Sequence, residues 1–107
     1  MHLGVVLDSS DPERIWNGLR LANTTLAADH DVELFLLGDG VEAPDVRTEA
    51  YNPPGLLKKF LQDGGDLYAC GTCLDSRDLE ADDLRPRASM DDLLGIVERA
   101  DETVTIG

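Results

Sequence analysis

Two cysteines, Cys70 and Cys73, are the only thiols in the chain, and they stand as Cys70-Gly71-Thr72-Cys73. The thiolate, not the thiol, is the nucleophile and metal ligand. Three chemistries fit such a pair. A single cysteine can carry sulfur as a persulfide. Two can cycle between dithiol and disulfide, as Cys-x-x-Cys near a βαβ pattern does. Two can also supply half of a metal site. Zinc asks for four ligands, and the only histidines are His2 and His30. His2 opens a strand and should lie at the far end of the sheet, so no intrachain metal site and no cofactor are expected. The plain alternative is two small buried residues without chemistry. A structural disulfide does not suit a chain read as cytoplasmic.

The neighbours of the pair bear on thiolate formation. Gly71 and Thr72 keep the backbone slim, so its amides can approach a bound sulfur or oxyanion. If Thr72–Arg77 begins a helical turn, amide dipoles point at Cys70. Arg77, four residues beyond Cys73, adds positive charge, which matters because surrounding carboxylates raise a thiol pKa. Asp39, between Gly38 and Gly40, is a candidate orienting group if its loop folds over the same edge; a turn role is the simpler reading. Tyr68 is a candidate pocket residue or a strand-packing one. Trp16 reads as core or subunit contact, and His30 as a solvated turn residue. Asn17 and Asn23 read as exposed helix positions. Arg85 and Arg87 are candidates to pair with Glu80, Asp82 and Asp83, in exposed pairs of little energetic weight.

These residues need elements to position them. Leu3–Leu7 is an apolar run ending in turn residues, the pattern of a buried strand. Asp11 reads as an N-cap with Pro12 at the first helical position. Ile15, Leu19, Ala22 and Leu26 then recur at helical spacing, so a helix is predicted over Pro12–Ala28. Val32–Leu37 is a second strand. Gly38–Asn52 has no periodicity and reads as a loop. Asn52 caps a helix opening with Pro53-Pro54 and stopping at Gly64-Gly65. Asp66–Ala69 is a third strand running into Cys70. Asp78–Leu84 is read as a short helical turn, and Arg85–Ala88 as an edge strand, since Pro86 cannot donate to a ladder. Ser89 and Asp92 resemble a capping box. A last helix carries Leu93, Leu94, Val97 and Ala100, and Thr103–Ile106 is the last strand. Alternating strands and helices predict parallel pairing through right-handed crossovers, with helices on both faces. Residues beyond the carboxyl ends of such strands form the sites, which is where Cys70 falls.

The 107 residues suit a single α/β domain spanning 1–107. There are 22 acidic against 9 basic residues, for a net charge of −13 and a pI near 4.2. That balance repels phosphate backbones and anionic membranes, so no direct nucleic-acid or membrane partner is expected. No apolar run reaches the roughly 20 residues of a membrane span. The N-terminus lacks a basic region and reads as a strand, not a signal peptide. Of the acids 15 are Asp, and Lys58 and Lys59 are the only lysines. Such a surface suits a salt-rich cytoplasm, where ions screen self-repulsion.

The chain resembles the DsrE/DsrF-like sulfur-relay family along nearly its whole length. The resemblance rests on Leu3–Leu7, on Pro12–Ala28, and on Val32–Leu37 leading into Gly38-Asp39-Gly40-Val41. It continues through Tyr68-Ala69-Cys70-Gly71-Thr72-Cys73-Leu74-Asp75-Ser76-Arg77, Ser89-Met90-Asp91-Asp92-Leu93 and Ala100-Asp101. It implies a three-layer α/β/α sandwich around a five-stranded parallel sheet, assembled as a homo-oligomer or hetero-oligomer. It also implies persulfide transfer between a sulfur donor protein and a sulfur acceptor protein, as in tRNA thiolation or sulfur oxidation, with the accepting cysteine at Cys70. Such a carrier is of sulfurtransferase type. Two positions depart from the family pattern: Cys73 stands where many relay members lack a cysteine, and Asp78 where a glycine usually follows the arginine.

Overall fold

Each major helix begins at the cap its sequence provides. The Asp11 carboxylate accepts from the Arg14 amide to open α1 (Pro12–Ala27), and Asn52 accepts from Gly55 to open α2 (Pro53–Gln62). Ser89 and Asp92 form a reciprocal capping box at the start of α4 (Met90–Arg99). These side chains satisfy amides that have no partner inside the helix. Ala28, read as helical, is instead the C-cap of α1, with its amide bonded back to Thr24 and Thr25.

The computed structural model describes residues 1–107. Its strands are β1 (His2–Leu7), β2 (Asp31–Leu36), β3 (Asp66–Cys70), β4 (Arg87–Ala88) and β5 (Glu102–Ile106). All pairings are parallel, in the order β4-β3-β2-β1-β5. Parallel neighbours need crossovers, and the helices supply them. Alternation along the strands sends Leu3, Val5, Leu7, Val32, Leu34 and Leu36 toward one face, where α1 and α2 pack with Ile15, Leu19, Leu57 and Phe60. On the other face α4 lies over β1, with Ile96 against Gly4. The result is a three-layer α/β/α fold, as expected.

Buried Glu33 of β2 ties that second layer together. Its carboxylate accepts from Arg99 of α4 through Nε (2.9 Å) and Nη2 (2.7 Å) and from the Tyr68 hydroxyl (2.9 Å). His2 Nε2 lies 2.7 Å from the same group. The Arg99 guanidinium holds the Glu33 carboxyl below its ordinary range despite burial. Burial and Glu33 push the Tyr68 phenol up to about 12. Tyr68 also stacks on Phe35, with ring centroids 6.4 Å apart. It therefore belongs to strand packing rather than to a pocket beside Cys70. α4 presents a stripe of Met90, Leu94 and Val97 to solvent, and Ile96 alone in it is fully buried.

Two connections differ from expectation. The stretch after β2 is not wholly irregular, because Gly38–Asp45 forms 3-10 turns that bury Val41 and Ala43. The short helix falls earlier than Asp78–Leu84, as α3 (Gly71–Asp75). Residues 78–86 instead fold around Arg85, which is only 7% exposed. Asp82 accepts from the Leu84 and Arg85 amides, closing a turn that competes with helix. The Arg85 guanidinium reaches Val41 O (3.0 Å) and Asp45 (2.9 Å), clamping the 3-10 segment. Arg85 therefore does not belong to the edge strand, which contains Arg87 and Ala88 alone.

Candidate functional site

Cys70 is the last residue of β3 and 5% exposed, while Cys73, three residues on in α3, is half-buried; both thiols are free. They lie at the carboxyl edge of the sheet, beyond the central strands, where open α/β folds place ligands. His2 begins β1 and so sits at the opposite edge. No group of three His, Cys, Asp or Glu side chains is arranged to hold a metal ion.

The end of β2 brings a donor to this edge. The Gly38 amide donates to Cys73 Sγ at 3.2 Å. Gly38 has φ of 56°, in the left-handed region, and a Cβ there would run into the Asp8 carboxylate. Only glycine holds that turn without strain. Asp39, the next residue, pairs with Arg77, whose Nη2 lies 2.6 Å from Asp39 Oδ1. Arg77 Nη1 also donates to the Cys73 carbonyl at 3.0 Å. Asp39 and Arg77 thus meet at the site, as their candidacy required, and they bracket Cys73 rather than Cys70.

Burial raises the Cys73 thiol above its ordinary range, and the neighbouring Cys70 thiol raises it further. The Gly38 amide and the Arg77 charge oppose that shift. Asp39 holds Arg77 firmly charged. A negative sulfur at Cys73 therefore has two fixed partners, one dipolar and one ionic.

Arg87 takes up the Cys70 side. Its guanidinium lies over Gly71, where a Cβ would come within 2.9 Å of Cζ. Both its Nη atoms donate to Asp75, at 2.9 and 2.8 Å. Arg87 is thus paired with Asp75 and not with the acidic run at 80–83. The pair holds Asp75 below the ordinary carboxylate range and Arg87 above its own, and Cys70 lies within coulombic reach of Arg87. Beside them, a cavity of about 400 Å³ is lined by Gly71, Thr72, Arg87, Ala88, Ser89, Met90 and Asp92. Gly71 and Thr72 are the first two residues of α3.

Gly38, Asp75 and Arg87 were not singled out as site residues from sequence. The signal for Gly38 was its place directly after a strand. Arg87 offered none, because its position depends on how β4 meets β3. Asp78 gains an explanation. After α3, Asp78 N–H bonds Asp75 O and Leu79 N–H bonds Leu74 O, closing a Schellman motif. Asp78 occupies its left-handed position, with φ of 53°. That position favours glycine. Trp16 packs on Tyr51, with centroids 5.8 Å apart. Asn23, read as exposed, is buried and donates to Leu56 O.

A β3 strand ending in a cysteine, within a five-stranded parallel sheet flanked by helices on both faces, defines a small three-layer α/β fold with a thiol at its carboxyl edge. The chain belongs to the DsrE/DsrF-like family, whose model matches residues 1–106, and the family is generally associated with sulfur relay. It is 33% identical over 99 residues to an uncharacterized protein of Methanocaldococcus jannaschii, covering 87% of each chain. It is also 33% identical over 101 residues to an uncharacterized protein of Methanopyrus kandleri, covering 86% of this chain and 81% of the relative. Among solved structures it resembles the ychN protein from E. coli, with a TM-score of 0.84, 25% identity, and 98% and 99% of the two chains covered. It shares the fold of a Bacteroides thetaiotaomicron protein of unknown function, with a TM-score of 0.74, 14% identity, and 98% and 94% covered.

Proposed function

We propose that this protein is a sulfur-relay carrier that holds sulfane sulfur as a persulfide on Cys70. The observation that carries the reading is the pair of free thiols at the carboxyl edge of a DsrE-type sheet. Cys70 thiolate attacks the outer sulfur of a donor persulfide. The donor S–S bond breaks, its electron pair leaves on the donor thiolate, and Cys70 gains the sulfur. Delivery is the same step with an acceptor thiolate as attacker. Neither step calls for a cofactor or metal. The Gly71 and Thr72 amides and the charge of Arg87 support the resulting anion.

Donor and acceptor are proteins, and the chain works in the cytoplasm as a homo-oligomer or hetero-oligomer. A surface of net charge −13 leaves any nucleic-acid substrate to a partner. No helix is long and apolar enough to cross a membrane.

A second reading, a dithiol–disulfide couple, draws support from the placement of two free thiols three residues apart in one strand-end turn. Intact-mass analysis after exposure to a sulfur donor separates the two. A carrier gains the mass of one sulfur atom, and most of that gain disappears in Cys70→Ser. A redox couple loses two hydrogens and gains no sulfur.

A further inference from the structure

We propose that Cys73 is the exchange thiol through which sulfur reaches and leaves the buried Cys70. The inference rests on the carrier reading and assigns Cys73 its part in it.

Access comes first. A partner thiol must approach the sulfur it takes to bonding distance. Cys70 is 5% exposed at the end of β3, whereas Cys73 is half-buried on the outer side of the same turn. Cys70 ends β3 and Cys73 lies three residues on, within the single short helix that follows, so both thiols belong to one strand-end turn and sulfur has a short path between them.

Second, although burial raises the Cys73 thiol, two groups that favour a negative sulfur already stand beside it. The Gly38 amide already points at Sγ from 3.2 Å. Arg77 is anchored beside it, donating to the Cys73 carbonyl and held by Asp39. A fixed amide and a fixed cation stabilise charge without reorganising as it arrives.

The internal step balances. Cys73–S–S⁻ and Cys70–SH become Cys73–SH and Cys70–S–S⁻. The sulfur–sulfur bond at Cys73 breaks and one to Cys70 Sγ forms. The electron pair of the broken bond stays on Cys73 Sγ, which takes the proton Cys70 gives up. No oxidant is consumed, and the reverse step exports the sulfur.

The test uses the full chain, glutathione persulfide as donor and reduced glutathione as acceptor, with acid quench and fragment masses to locate the sulfur. In Cys73→Ser, loading and unloading of Cys70 slow by about tenfold or more, the loss of a well-placed intramolecular nucleophile. The final extent of loading stays at the wild-type level, which shows that the variant is folded around Cys70. Wild-type rates in Cys73→Ser would overturn the inference and leave the carrier reading standing. A stable Cys70–Cys73 disulfide forming in place of the transferred sulfur would overturn it as well. Wild-type protein that gains no sulfur would overturn the carrier reading and this inference with it.

Discussion

The amide of Gly38 and the sulfur of Cys73 stand 3.2 Å apart, joining the ends of β2 and β3 across 35 residues of sequence. The contact exists because Gly38 turns with φ of 56°, which swings its N–H toward α3 and leaves no room for a side chain beside Asp8. A backbone requirement just after one strand thus offsets part of the burial that raises a thiol just after another.

Gly38→Ala should therefore act on both stability and the thiol. Forcing a side chain into this conformation costs about 1–3 kcal/mol. The expected result is a lower urea midpoint together with slower alkylation of Cys73. An unchanged midpoint would mean that the turn is not strained by a Cβ.

Asp78→Gly should act in the opposite direction. Asp78 holds the left-handed position of the Schellman motif after α3. Relief of that conformation outweighs the extra chain entropy of glycine, for a gain of about 0.5 kcal/mol. Urea denaturation should show a small stabilisation, and a loss would contradict the account of this turn.

Glu33 predicts a pH dependence. Its carboxyl is held below the ordinary range, first by Arg99 and then by Tyr68 and His2, against its burial. A depressed carboxyl contributes stability above its unfolded pKa of about 4.3, and that contribution is lost as pH falls through the lower folded value. Glu33→Gln should cost about 1–3 kcal/mol at neutral pH, and the gap from wild type should close below about pH 4. Tyr68 is raised, so the sign reverses: its contribution is present below about 10 and lost as pH rises through about 12. Urea melts across pH check both limbs, and a gap that persists at acid pH would contradict the first.

The net charge of −13 predicts salt dependence. The screening length falls from about 30 Å at 0.01 M salt to about 3 Å at 1 M. The melting temperature should rise over that range, as self-repulsion is screened. A flat or falling melting temperature would remove salt adaptation as the reason for the surface.

Much of the framework was legible because it rests on local rules. Asp11, Asn52 and the Ser89–Asp92 box are local cap signals, and the apolar runs Leu3–Leu7 and Val32–Leu37 carry a buried-strand pattern that the structure forms over His2–Leu7 and Asp31–Leu36. Cys70 was legible for the same reason, as the end of a strand. What escaped depends on long-range meetings. Arg85 reads as a surface cation until Val41 and Asp45 arrive from another segment to bury it. Glu33 looks like an exposed residue in an apolar run, yet Arg99, 66 residues away, makes its burial tolerable. Arg77 was expected to serve Cys70. The turn at Gly38 delivers Asp39 to it, and the pair settles on Cys73 instead.

The central claim is that Cys70 holds the sulfur. The direct measurement is the site of sulfur in wild-type and Cys70→Ser protein after the donor has been removed, read by intact and fragment mass. The account predicts one retained sulfur on Cys70 in the wild type, and in Cys70→Ser a much smaller retention confined to Cys73. Equal retention by the two proteins, or none in either, would contradict it.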